Sequence, residues 1–103
     1  MGGEALWNRI VEVLPVSGEE IQTSTVLWFK ASSSDIRLYI NKAVDHAPSS
    51  KLSMQRSISK KDFLLVYSYY DRWVNGEAGI RHEVSSKSRN VAYIFALIDK
   101  YSE

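Results

Sequence analysis

One helical stripe between Ser59 and Gly76 constrains the fold of this chain more than any other feature. Apolar side chains recur there at intervals of three and four residues, which places them on one face of an α-helix. Ser59 and Asp62 resemble a capping box with Asp in place of Glu. Asn75 and Gly76 end the stripe because both tolerate the left-handed conformation that closes a helix. The sequence predicts a helix over 59–75 with a core side of Phe63, Val66, Tyr67, Tyr70, Trp73 and Val74.

Two further amphipathic segments flank the middle of the chain. The first covers residues 4–14 and is expected to end there, because Pro15 pushes Leu14 out of the α region. The second opens within 86–88 and runs to about residue 101, with a stripe of Val91, Ile94, Phe95, Ile98 and Tyr101. Residues 77–85 are predicted to form a loop, with a short extended piece at 80–84. The order of segments leaves the middle of the chain for strands.

Three strands are predicted between the first two helices. Residues 21–31 are rich in Thr, Val, Trp and Phe, which favours a strand. Residues 32–35 form a turn cluster, 36–41 alternate between apolar and polar, and 52–58 suggest a third strand. Short connections favour an antiparallel meander. We therefore expect one α+β domain over 1–103: an N-terminal helix, a three-stranded antiparallel sheet and two C-terminal helices packed on one sheet face.

Composition excludes several classes of site. The chain has no cysteine, which rules out disulfides, thiolate metal sites and a Cys nucleophile. His46 and His82 are expected to be exposed loop residues, and no glycine-rich phosphate loop or nucleophile elbow occurs. We predict no catalytic residues, no metal and no cofactor. No apolar run approaches the ~20 residues of a membrane span, and no signal peptide is recognisable, so a cytoplasmic location without membrane contact is expected.

Cations concentrate in the second half of the chain, which holds nine Lys and Arg against six Asp and Glu. Several lie near the predicted start of the last helix, where unpaired amides favour anions. One interpretation is ordinary solvated surface, and the other is a surface for phosphate or nucleic acid. A helix-turn-helix with the last helix as reading helix is a further possibility, although its loop is too long for that motif. The candidate residues are Arg81, His82, Lys87, Arg89 and Asn90.

Aromatic residues off the predicted core stripes suggest a second surface. Trp28 and Tyr39 lie on strand faces opposite the expected core, near Val26. If those faces coincide, the three form an apolar patch that marks a partner, a dimer contact or a shallow ligand site. Tyr69 and Tyr93 also fall off their helix stripes and are candidates for stacking bases.

The last third of the chain carries one resemblance. The stretches Tyr70-Asp71-Arg72-Trp73-Val74-Asn75-Gly76 and Ser88-Arg89-Asn90-Val91-Ala92-Tyr93-Ile94 resemble C-terminal segments of small bacterial proteins, some of them similar to products of mobile gene cassettes carried by integrons. The resemblance implies a bacterial, cytosolic accessory protein, and it assigns no catalytic residue.

Three functional hypotheses follow. The first is a non-enzymatic interaction protein that forms a homodimer through the patch of Val26, Trp28 and Tyr39. The second is a nucleic-acid-binding accessory protein that uses the basic residues between 81 and 90. The third is a protein that binds a small molecule, whose identity the sequence does not indicate.

Overall fold

Four antiparallel strands form the sheet of the computed structural model, which describes residues 2–15, 17–23, 27–34, 37–44 and 55–102. The strands lie side by side in chain order. The predicted α+β class is confirmed, with four strands and four helices in the described residues instead of three of each. The elements are α1 (Gly3–Val13), β1 (Glu19–Gln22), β2 (Trp28–Ser34), β3 (Arg37–Lys42), β4 (Arg56–Ile58), α2 (Lys60–Val74), α3 (Ile80–Ser85) and α4 (Val91–Tyr101).

The two faces of the sheet differ because side chains alternate along each strand. The register pairs Ala31 of β2 with Ile40 of β3, and Leu38 of β3 with Ile58 of β4. One face is buried against the helices and comprises Ile21, Phe29, Ala31, Ser33, Leu38, Ile40 and Ile58. The opposite face, called the outer face below, carries Glu20, Gln22, Trp28, Lys30, Ser32, Ser34, Arg37, Tyr39, Asn41 and Ser57.

Helix α4 lies at the centre of the core and packs against α1, α2 and β1. Every residue from Tyr93 to Ile98 is buried, which is wider than the single stripe predicted from the sequence. A helix that is apolar on nearly all sides is buried on nearly all sides. Tyr93 is only 4% exposed, and its ring packs edge to face on Phe29 with centroids 5.1 Å apart. The suggestion that Tyr93 stacks on bases is therefore wrong.

Helix α2 packs across α1 and α4 through its aromatic side. Phe63 lies 5.5 Å from Trp7 of α1, and Trp73 stacks on Phe95 of α4 at 4.4 Å between ring centroids. The predicted helix over 59–75 is confirmed within one residue at each end, and Ser59 Oγ accepts the predicted capping bond from Asp62 N at 3.0 Å. Val74 departs from the predicted stripe, since it is 58% exposed at the helix end.

The end of α1 is tied to the sheet by one hydroxyl group. The residue four positions after Val11 is Pro15, which has no N–H to donate to the Val11 carbonyl. Ser33 Oγ of β2 donates instead, lying 2.9 Å from Val11 O and 2.6 Å from Leu14 O. Ser33 is 5% exposed, so this serine satisfies helix carbonyls that water does not reach freely. Pro15 ends the helix as predicted.

The predicted strand over 21–31 is wrong in its extent. The structure has β1 before residue 23 and β2 from residue 28, paired as a hairpin in which Ile21 lies opposite Phe29. Thr23 N donates to Leu27 O at 2.8 Å, which closes the hairpin end of the ladder. Strand β2 then continues through Ser34, where a turn was predicted. Of the predicted third strand over 52–58, only 56–58 is seen as β4, and residues 52–54 lie outside the described part of the chain.

The predicted loop over 77–85 contains α3. The left-handed backbone of Gly79, with φ of 78°, turns the chain into this helix, and Ile80 and Val84 bury its inner side. An apolar pair four residues apart fits both an extended segment and one helical turn, which explains the error. Helix α4 begins at Val91, three to five residues later than predicted, so Lys87 and Arg89 precede it.

Candidate functional site

The predicted cations lie on two different parts of the molecule. Arg81 and His82 belong to α3, whereas Lys87, Arg89 and Asn90 belong to the connection between α3 and α4. Arg81 and His82 line an open cleft whose lining does not include Lys87, Arg89 or Asn90. The structure therefore divides the set into a cleft group and a connection group.

Asp62 ties the connection to the start of α2. Its Oδ2 accepts hydrogen bonds from Ser88 Oγ at 3.0 Å and from Asn90 Nδ2 at 3.2 Å. Ser88 Oγ in turn accepts from Asn90 N at 3.1 Å. The start of α4 thus already has a carboxylate beside it, supplied by the chain itself. Asn90 has a structural role here, and a bound phosphate at this helix end would meet the charge of Asp62.

Arg56 of β4 also contacts the α3–α4 connection. Its Nη1 donates to the carbonyl oxygen of Arg89 at 3.2 Å, and its guanidinium lies 5.7 Å from the centroid of the Tyr93 ring. Lys61 is exposed and adjacent to Asp62 on α2, and Lys87 and Arg89 are exposed on the connection. In the described part of the chain, none of these last three cations has a carboxylate within ion-pair distance. Arg56, Lys61, Lys87 and Arg89 are called the basic surface below.

Sequence reasoning found half of the basic surface and missed Arg56 and Lys61. Both lie at least 20 residues before the predicted set, which begins at Arg81, and neither belongs to a motif. Only the hydrogen bonds of Arg56 and Asp62 show that β4 and the start of α2 adjoin residues 87–90. No local signal in the sequence could have placed them there.

The cleft group lies between the end of α2 and α3. The cleft has a volume of about 660 Å³ and is lined by Trp73, Gly76, Glu77, Gly79, Ile80, Arg81, His82 and Ser85. The Arg81 guanidinium lies 5.8 Å from the centroid of the Phe95 ring. The charges beside the cleft are partly paired, because Arg72 Nε donates to Glu77 Oε2 at 2.9 Å and Arg72 Nη1 lies 3.9 Å from Glu83 Oε2.

The pairing of Arg72 with Glu77 shifts the pKa of both side chains. The hydrogen bond from Arg72 lowers the pKa of Glu77, and the same bond raises the pKa of Arg72. Both side chains are solvent-exposed, so the pair is screened and stabilises the fold only weakly. Its main consequence is local, since it neutralises the one arginine of α2 that could otherwise have joined a phosphate site.

Glu77, His82 and Ser85 line one cleft, which raises the question of a nucleophilic triad. Such a site requires the serine to hydrogen-bond the imidazole and the imidazole to bond the carboxylate. Within the described ranges no hydrogen bond joins Ser85 to His82, and Glu77 bonds Arg72 instead. The same residues hold no group of three or more His, Asp or Glu side chains placed to bind a metal. His46 lies outside the described residues.

Two of the three residues of the second predicted surface belong to the described part of the chain. Trp28 and Tyr39 are both half-buried on the outer face of the sheet, as the sequence suggested. The register places Tyr39 opposite Ser32, and the pair of Lys30 and Asn41 lies between Tyr39 and Trp28. The face is therefore aromatic and polar in alternation, without direct contact between the two rings along the strands. Val26 lies outside the described residues. The dimer contact stays a prediction.

Comparisons with protein families, with curated proteins and with solved structures find no match to this chain. The resemblance to integron-cassette proteins stays a prediction. None of the described helices combines the length and apolarity needed to cross a bilayer.

Proposed function

We propose that the protein is a non-catalytic accessory protein of the cytoplasm that binds nucleic acid through the basic surface. One observation carries the proposal. The hydrogen bonds of Arg56 and Asp62 bring β4, the first turn of α2 and the α3–α4 connection together, and these three segments carry four cations. Three of the four, Lys61, Lys87 and Arg89, are exposed and without an ion-pair partner among the described residues. Clustered lysine and arginine side chains are the electrostatic footprint of phosphate contact.

The mode of contact differs from a helix-turn-helix. A reading helix must present its side chains to the major groove, whereas α4 buries most of its side chains in the core. The charge of Asp62 also stands beside the start of α4, where a phosphate would otherwise approach the helix amides. Contact through lysine and arginine side chains remains, and such contacts bind the backbone without reading its sequence.

The experiment measures binding of fluorescently labelled oligonucleotides by anisotropy at several salt concentrations. The affinity should fall as salt rises, because each phosphate contact releases a counterion. The double variant Lys87→Ala, Arg89→Ala should lower the affinity and reduce the salt slope by about 1.4 to 1.8 for two lost contacts. The matched control removes two cations elsewhere, with Arg9→Ala on α1 and Lys42→Ala at the end of β3.

Two results oppose the proposal. One is a lack of binding at low salt. The other is an equal loss in both double variants, since that would make the effect one of net charge and not of this surface. Circular dichroism of both variants excludes unfolding as the cause of a lost affinity.

The small-ligand hypothesis fits best at the open cleft between the end of α2 and α3. Its lining combines an indole ring, the guanidinium of Arg81 and the imidazole of His82, a set suited to a small anion with an apolar part. Because Glu77 lines the cleft and both Glu77 and Glu83 lie within ion-pair distance of Arg72, the cleft is less basic than the surface at residues 87–89. We therefore rank it below nucleic-acid binding.

A further inference from the structure

We infer that the nucleic acid is single-stranded and that its bases stack on the outer face of the sheet, an inference that rests on the proposed function. The carrying feature is a row of four side chains along the β2–β3 hairpin: Trp28, Lys30, Tyr39 and Arg37. Tyr39 lies opposite Ser32 and Arg37 opposite Ser34, so the row advances by two residues at each step. It is called the aromatic-basic row below.

The spacing suits an extended strand of nucleotides. Two residues of a β-strand advance by about 6.5 Å, and the whole row spans about 20 Å. Aromatic and cationic side chains alternate along it, so stacking surfaces alternate with phosphate ligands. This combination is how proteins hold single strands without sequence preference. A duplex hides its base faces and would gain nothing from the rings.

Charge favours the same occupant. Lys30 and Arg37 have no ion-pair partner within the described segments. Glu20 is the acidic residue of the described outer face, and it lies opposite Lys30. Its Oε2 accepts a hydrogen bond from Val44 N at 2.8 Å. A second copy of this chain would bring the same two cations against the face, whereas a phosphate chain neutralises them.

The position of Lys30 is constrained by the turn before β1. Gly18 has a left-handed backbone with φ of 91°, and a Cβ added there would come within 2.8 Å of Lys30 Cγ and 2.9 Å of Lys30 Cδ. The methylene chain of Lys30 therefore lies against Gly18, and this contact restricts the direction in which the Lys30 side chain crosses the sheet. The stem is packed while the ammonium group can extend toward a ligand.

The Arg37 end of the aromatic-basic row lies near the strand that precedes α2. Arg37 begins β3, and the next residue, Leu38, pairs with Ile58 of β4. Ile58 directly precedes Ser59, the N-cap of α2, and Lys61 follows in the first turn of that helix. The Arg37 end of the row and the first turn of α2 are thus connected through the pairing of β3 with β4.

The test compares a labelled oligothymidine with a duplex of equal length, using wild type, Trp28→Leu and Tyr39→Leu. Each substitution should weaken single-strand binding by roughly 5- to 150-fold, the range found for loss of one stacked base, and leave duplex binding unchanged. The controls are Trp28→Phe and Tyr39→Phe, which keep a ring. A second readout maps photocrosslinks from a bromouridine-containing oligonucleotide, which should fall on Trp28 and Tyr39 even if a leucine variant fails to fold.

The outcomes separate this inference from the proposed function. Suppose that Lys87→Ala, Arg89→Ala weakens binding, that Trp28→Leu and Tyr39→Leu bind single strands as well as the wild type, and that no crosslink falls on the row. The inference is then wrong and the proposed function stands. If no oligonucleotide binds, both are wrong. If sedimentation shows a dimer that Trp28→Leu or Tyr39→Leu dissociates, the outer face is a self-association contact and the inference is overturned.

Discussion

Replacing Ser33 by alanine is expected to destabilise the protein far more than the size of the change suggests. The hydroxyl lies within hydrogen-bond distance of two carbonyl oxygens at the end of α1, Val11 O and Leu14 O. Alanine leaves both acceptors without this donor in a part of the core where Ser33 is 5% exposed. Pro15 has no N–H with which to replace the lost donor.

The magnitude follows from the cost of an unsatisfied buried acceptor. That cost is about 1–3 kcal/mol, and we expect about 2 kcal/mol here, because the one hydroxyl proton is shared between the two oxygens. For a domain near 100 residues, 1 kcal/mol lowers the Tm by about 4–8 °C, so the expected loss is about 8–16 °C. Alanine differs from serine only by the missing hydroxyl oxygen, so the variant gains little buried apolar surface to offset this loss of stability.

The assay is urea denaturation followed by circular dichroism, with thermal unfolding as a second measurement. The matched control is Ser34→Ala, the next residue of β2, which is exposed and should change the free energy of unfolding by less than about 0.5 kcal/mol. A Ser33→Ala protein as stable as the Ser34→Ala protein would refute the reasoning, because it would mean that water satisfies the end of α1.

Three further predictions concern packing, pH and the α3–α4 connection. Phe95→Ala should lower the free energy of unfolding, measured by urea denaturation, by about 3–5 kcal/mol, because Phe95 is 2% exposed and stacks on Trp73. The control Leu65→Ala, on the more exposed side of α2, should lower it much less. Equal losses in the two variants would contradict the packing of Phe95. Burial, with hydrogen bonds to Asp99 and Glu19, raises the pKa of Tyr70 and of Tyr101 to about 12. In the unfolded chain these protons are released near pH 10, so the two tyrosines make their full contribution to stability below pH 10 and lose it as the pH rises toward 12. The double variant Tyr70→Phe, Tyr101→Phe should flatten the fall in the free energy of unfolding between about pH 10 and 12. An unchanged slope would argue against a raised pKa for these two tyrosines. Asp62→Ala should lower the free energy of unfolding by about 1–3 kcal/mol, because Ser88 and Asn90 lose their shared acceptor. It should also speed amide hydrogen exchange in residues 88–91. Exchange as slow as in the wild type would show that Asp62 does not hold the α3–α4 connection in place.

Local signals account for the parts of the fold that were predicted well. The stripe of α2 and its caps at Ser59 and Asn75 depend on residues three and four positions apart, and the observed bounds agree within one residue. The end of α1 before Pro15 follows from the geometry of a proline and needs no tertiary contact. The alternation of 36–41 likewise indicated β3, which is seen over Arg37–Lys42.

The errors arose where two readings of one pattern were open. Residues 21–31 contain no glycine, proline or asparagine to mark the hairpin between β1 and β2, so the segment read as one strand. The single turn of α3 carries too few residues to distinguish a helix from an extended piece. Tyr93 lies off the stripe of α4 and is nevertheless buried, because α4 is enclosed on more sides than one stripe can indicate.

By itself the sequence determined the class of the fold, the positions of its long helices and the types of residue that the candidate surfaces contain, since caps, periodicity and composition act over a few positions. Tertiary structure alone decided which of those residues are neighbours. It placed Arg56 beside Arg89, joined Asn90 to Asp62 by a hydrogen bond, and paired Arg72 with Glu77. It also aligned Trp28, Lys30, Tyr39 and Arg37 on one face of the sheet. The physical reason is that strand register and helix packing set distances between residues far apart in the chain, and no local pattern encodes those distances.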